Sequence, residues 1–82
     1  MTAGLIPQRE HFAGAELLSP VWTLAKGQKR ARCEAWSHQF GFELRLFVGT
    51  ELLQTQVVRQ QPDLIGVQEE WRAALEAKGW KR

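Results

Sequence analysis

The sequence predicts an α+β domain, a four-stranded antiparallel meander with one C-terminal helix packed on one face (ββββα). Three observations carry that expectation: strand-like alternation from Val21 to Arg59, Gly-led turns at Gly27-Gln28 and Gly49-Thr50, and a helical apolar period after Pro62. The 82 residues allow one small domain, and four Trp with four Phe supply the large apolar groups its core needs.

Residues 1–20 contain Gly4, Pro7, Gly14 and Pro20 and show no sustained period. They are expected to form an irregular N-terminal arm, with at most a helical turn near Glu16 to Leu18. Phe12 or Leu17 is placed to dock over the domain proper, residues 21–82. The strands begin with "VWTLAK" and "KRARCEAWS", joined through Gly27-Gln28, and continue with "FELRLFV" and "ELLQTQVVR", joined through Gly49-Thr50. Gly at the first position of a two-residue loop is a hairpin signature, because primed turns need a positive φ there. The register follows: Leu24 opposite Ala31, Trp22 opposite Cys33, Leu46 opposite Leu53, Leu44 opposite Thr55 and Phe42 opposite Val57. The middle turn, "HQFG", read as a four-residue loop, sets Ala35 against Leu44 and Glu34 against Arg45, an oppositely charged cross-strand pair.

Alternation then sorts the side chains into two faces. A core face takes Trp22, Leu24, Ala31, Cys33, Ala35, Phe42, Leu44, Leu46, Val48, Leu53, Thr55 and Val57. An outer face takes Arg32, Glu34, Trp36, Glu43, Arg45, Phe47, Leu52, Gln54 and Gln56. The cover is "PDLIGVQEEWRAALEAKGW", where Leu64, Val67, Trp71, Ala74 and Leu75 recur at helical spacing. Asp63 is the expected N-cap. Gly79 is the expected C′ residue of a Schellman turn, with Trp80 returning toward Leu75.

"WTLAKG", "FELRLFVGTELLQTQVVR" and "EEWRAALEAKGW" together resemble a family of short, uncharacterised bacterial proteins with the outline W-x-L…ELR…G-x-L…(S/T)QV…W…L…GW. The resemblance spans about residues 22 to 80, with Thr55 where the outline prefers Ser. It implies the domain boundaries and carries over no catalytic residue, because that family brings no assigned activity.

Chemistry-bearing residues are few. "RARCEAWSH" places Cys33 and His38 an odd number of residues apart, so they point to opposite faces of a strand. Cys33 is then a small buried hydrophobe and His38 a hairpin-end residue, which argues against a nucleophile–base pair. One Cys, two His and scattered carboxylates show no metal-ligand spacing, and no phosphate-binding loop or hydrolase motif is present. No enzyme activity, cofactor or metal is expected.

Eleven basic residues against nine acidic give a net charge of +2, too balanced to imply nucleic acid by itself. The sequence-level candidate for a binding surface is the outer face around Arg32, Trp36, Arg45 and Phe47, acting on an unknown protein partner as a binding or accessory module. The alternative is a weak single-stranded nucleic-acid binder, with Lys26, Lys29, Arg30 and Arg32 of the 26–32 hairpin gripping phosphates and Trp36 and Phe47 stacking bases. A monomer or a weak homodimer through an edge strand is expected. A lone Cys, no signal-peptide pattern and no long apolar run point to a cytoplasmic protein without membrane association.

Overall fold

The computed structural model describes residues 15–82. Four strands, β1 (Leu17–Lys26), β2 (Lys29–His38), β3 (Gly41–Val48) and β4 (Glu51–Val58), form one antiparallel sheet in the order β1-β2-β3-β4. The helix α1 (Gln61–Ala77) follows and packs on one face. The ββββα architecture is the expected one.

Both Gly-led hairpins close as their chemistry requires. Gly27 and Gly49 have φ of 62° and 61°, and Lys26 pairs with Lys29 as Val48 pairs with Glu51. The middle hairpin is tighter than a four-residue loop, because His38 pairs directly with Gly41 and leaves Gln39-Phe40 as the turn. Its register is unchanged: Glu34 faces Arg45, Ala35 faces Leu44 and Arg32 faces Phe47.

The core is built on the predicted inner face of the first three strands. Leu24, Ala31, Cys33, Ala35, Leu44 and Leu46 are buried, together with Leu64, Val67 and Trp71 of α1. Small side chains along β2 leave room for the Trp71 indole in the same cluster. Trp22 is half-buried at its margin, and its Nε1–H donates to the Gln68 carbonyl at 3.3 Å. Each large buried side chain here contributes about 2–3 kcal/mol of apolar transfer free energy.

Three expectations need correction. First, β1 begins at Leu17, so residues 17–20 are strand rather than irregular arm, and no helical turn forms at Glu16 to Leu18. Two register shifts, between Leu17 and Ser19 and between Pro20 and Trp22, explain why alternation failed to reveal them. Leu17 is exposed, and the expected docking of Phe12 falls outside the described residues.

Second, the register of β4 slips by one after its turn. Leu46 pairs with Gln54, Leu44 with Gln56 and Phe42 with Val58, the shift falling between Leu46 and Phe47. The cause lies in two demands at opposite ends of β4. The Gly49-Thr50 turn sets Glu51 opposite Val48, on the inner face. Val58, the only buried residue of β4, must also face inward to meet α1. The two are an odd number of residues apart, so a regular strand would put them on opposite faces. One extra residue, Leu53, resolves the conflict as a β-bulge. The consequence reverses the predicted faces: Gln54 and Gln56 turn toward the helix side, while Leu53, Thr55 and Val57 turn outward beside Leu52.

Third, the helix N-cap is Gln60, with extended φ and ψ of −128° and 152° and no side-chain cap. Its carbonyl accepts from the Asp63 and Leu64 amides at 3.1 and 3.2 Å. Asp63 sits inside the first turn, where its charge still favours the positive helix end. Ala74 is exposed rather than core-facing. The C-terminus matches expectation: Gly79 has φ 97°, its N–H donates to Glu76 O at 3.0 Å, and the Trp80 N–H donates to Leu75 O at 3.1 Å, the Schellman pair. The chain then returns to the sheet, where Lys81 and Ala25 exchange backbone hydrogen bonds of 2.6 and 2.8 Å.

Candidate binding face

Alternation along β2 and β3 brings Arg32, Glu34, Trp36, Glu43, Arg45 and Phe47 onto the sheet face opposite α1, where they form one continuous chain of contacts. The Arg32 guanidinium lies 4.1 Å above the Phe47 ring and donates from Nε to Glu34 Oε2 at 2.9 Å. Glu34 Oε1 accepts from Trp36 Nε1 at 3.0 Å. The Arg45 guanidinium lies 4.1 Å above the Trp36 ring and donates from Nε to Glu43 Oε1 at 2.9 Å. Each cation–π contact contributes about 0.5–1 kcal/mol.

The electrostatics of this lattice are balanced, two guanidiniums against two carboxylates. Burial pushes the Glu34 carboxyl upward. Hydrogen bonds from Arg32 and Trp36, with the charges of Arg32 and Arg45, outweigh that effect and hold it below its ordinary value. Glu43 is 7% exposed, a carboxylate buried on what the sequence presents as the solvated side. It lies opposite Trp36 on one side and Val57 on the other, and two residues from Arg45 on the same face.

All four sequence-predicted surface residues therefore converge, but not as a bare aromatic platform. Trp36 and Phe47 are half-buried and each already carries an arginine over its ring. Exposed apolar side chains lie one strand away on β4. Leu52, directly opposite Phe47, is 48% exposed, Leu53 53% and Val57 43%. Sequence reasoning placed Leu53 and Val57 in the core, because nothing in alternation announces a bulge.

The four candidate phosphate contacts do not converge. The Lys26 Nζ donates to the Lys78 carbonyl at the end of α1 (2.8 Å), and Arg32 is held by Glu34 and by the Gly49 carbonyl at 2.9 Å. Strand alternation sets Arg30 on the outer face and Lys29 on the other, so the two uncommitted cations point apart.

Cys33 is fully buried and its thiol is pushed up to about 12, by burial first and by the nearby Glu34 charge second. It is a packing residue. His38 accepts the Phe40 amide at Nδ1 (3.1 Å), ordering the tight turn. Among the described residues no group of three His, Cys, Asp or Glu side chains is arranged to hold a metal ion. No helix among them is long and apolar enough to cross a membrane. A groove of about 980 Å³ between β4 and α1 lies on the opposite side, lined by Gln56, Arg59, Asp63, Glu69 and Glu70 among others. No family model, curated protein or solved structure matches the chain.

Proposed function

We propose that this chain is a small, non-enzymatic, cytoplasmic protein-binding module that docks its partner on the outer sheet face. The observation that carries the reading is the apolar strip of Leu52, Leu53 and Val57, turned outward by the β4 bulge and continuous with Phe47. Exposed apolar side chains bordered by a charge-neutral rim are the composition of a protein contact patch. The rim is the Arg32–Glu34–Trp36–Arg45–Glu43 chain, whose guanidiniums are held in place and whose carboxylates oppose phosphate. That same chain argues against the single-stranded nucleic-acid alternative, since both aromatic rings it needs for stacking are covered by arginines. The lone, buried thiol supports a non-catalytic role in a reducing compartment.

A photo-crosslinking side chain at Leu52, with a control at Gln54 on the other face, tests the reading in cells. Protein adducts from position 52 but not from 54 are expected, and they should disappear when Val57→Asp is added. Equal adducts from both positions, or none, would refute the proposal. Salt-sensitive binding of labelled oligonucleotides, lost in a Lys29→Ala, Arg30→Ala double variant, would favour nucleic acid instead.

A further inference from the structure

The outer edge of β4 has no hydrogen-bonded neighbour among the described residues. The two-residue turn at Gln39-Phe40 makes His38 and Gly41 a hydrogen-bonded pair, and strict alternation follows from it. Phe42 and Leu44 therefore address β4, and their partners Val58 and Gln56 spend their backbone groups on β3. Thr55 and Val57 present theirs to the open edge. The bulge at Leu53 ends the regular ladder on the turn side, so this free run is short.

Beside the run lies the groove of about 980 Å³. Its β4 wall begins at Gln56, and its other wall is the flank of α1 on which Asp63, Gly66, Val67 and Glu70 recur at helical spacing. Asp63 and Glu70 form no ion pair among the described residues, whereas Glu69 is held by Arg72. Arg59 is the only basic side chain among the described residues lining the groove, so the carboxylates outnumber it. Gly66 is the odd member of this flank, because glycine inside a helix is less stable than alanine. No contact within the chain requires it: a Cβ there would meet nothing within 4 Å beyond its own helix backbone. The missing side chain keeps the groove open along α1.

A strand added to β4 lies about 4.8 Å beyond it and runs along the mouth of this groove, its side chains alternating between groove and outer face. Carboxylates on one side and the exposed Val57 on the other suit a segment that alternates basic with apolar residues. A second copy of this chain suits the edge less. Twofold antiparallel pairing keeps both helices on one side of the sheet and sets one acidic flank toward the other.

We propose that the open edge of β4 takes up a short extended segment of a partner protein by strand addition. The segment's backbone pairs with Thr55 and Val57. Its basic side chains enter the groove beside Gln56, toward Asp63 and Glu70, and its apolar ones lie beside Val57. Leu52 and Gln54 stay outside this contact, so it goes beyond the outer-face docking reading and does not rest on it.

The probe is a blocked synthetic peptide alternating lysine with valine, titrated into the full chain and read by the anisotropy of a fluorescent label. Saturable binding is expected, at least about tenfold tighter than with all lysines placed before all valines, or with glutamate replacing lysine. Bound peptide should slow hydrogen exchange of the Thr55 and Val57 amides far more than that of Gln56, which is already bonded to β3. Asp63→Asn combined with Glu70→Lys should weaken binding about tenfold, with thermal unfolding verifying the fold. Gly66→Gln should weaken it too while raising the unfolding midpoint, because the new side chain fills the groove and favours the helix. No saturable binding up to millimolar peptide overturns the proposal. So does binding without slowed exchange at Thr55 and Val57, or binding indifferent to peptide order and to these variants. Slowed exchange there that rises with protein concentration alone assigns the edge to a second copy and overturns it as well. Adducts at Leu52 report on outer-face docking and do not depend on any of these results.

Discussion

The two edges of this sheet are managed in opposite ways. The β1 edge carries two register shifts, Pro20, and a C-terminal strap in which Lys81 pairs with Ala25 while Lys26 donates to the Lys78 carbonyl. Each of these devices discourages another strand from joining. The β4 edge carries one bulge near its start and then runs regularly to Val58, with every residue before Val58 exposed. The contrast teaches that an edge strand is specified by what must happen at its ends. β1 is closed by the returning C-terminus, whereas β4 is bent so that a turn at one end and a single buried valine at the other can coexist.

The hardest test of that account is at the point where β4 is anchored. Gly41 has φ 135°, and a Cβ added there would lie 2.4 Å from the Val58 carbonyl oxygen and 2.8 Å from the Arg59 Cα. Neither backbone position is a flexible side-chain end, so the strand must move. Gly41→Ala should cost about 3 kcal/mol or more and release the Val58 end of β4 from the core. Denaturant unfolding checks the magnitude, and hydrogen exchange should show β4 amides losing protection before those of β1. Equal loss at both edges would mean that Val58 does not set the β4 register.

The outer-face lattice is tied to the other edge, because Glu34 lies opposite Pro20 of β1. The Glu34 carboxyl is held below its ordinary 4.5 in the fold. A depressed carboxylate value contributes stability that is present above the unfolded value, and it is lost as pH falls through the folded one. Glu34→Gln should therefore destabilise by about 1 kcal/mol at neutral pH, discounted for the exposure of Arg32. The difference from wild type should close on acidification below that carboxylate range. Thermal unfolding of both proteins across pH checks the sign, and a gap that widens in acid would contradict it.

Much of this was legible in the sequence, and the two misread strands share one cause. The Gly27 and Gly49 turns, the pairing of Glu34 with Arg45, the inward Cys33 and the Gly79 Schellman turn each follow from local chemistry or an unbroken period of two. The start of β1 and the faces of β4 were misread because a bulge changes the phase of alternation while leaving composition untouched. Val58 held the missing clue. Its apolar side chain next to the turn into α1 demands an inward position that the Gly49-Thr50 register denies it. The lattice residues were found by alternation, but the burial of Glu43 was not, since alternation sets it on the face opposite α1.

The strap on β1 should respond more gently. Lys81→Pro removes the N–H that Ala25 O accepts at 2.8 Å, costing about 1 kcal/mol. The Ala25 amide should exchange faster while β4 protection is unchanged, and a fall in both would show that the strap supports the whole sheet.

The smallest expected effect on stability comes from excising Leu53 altogether. Because Phe47 pairs with Leu52 and Leu46 with Gln54, removal of the intervening residue leaves every other pair, and Val58, where it is. Leu53 is 53% exposed, so little buried area is lost, and the change in unfolding free energy should stay within about 1 kcal/mol. What should change is the edge. Without the bulge β4 becomes a flat, uninterrupted strand, the kind of edge that recruits a neighbour. Self-association should rise, because a longer regular ladder becomes available to a second copy. Sedimentation of the excised chain beside wild type reads this directly. A variant no more associated than wild type would mean that the bulge is not what keeps this edge from recruiting a neighbour.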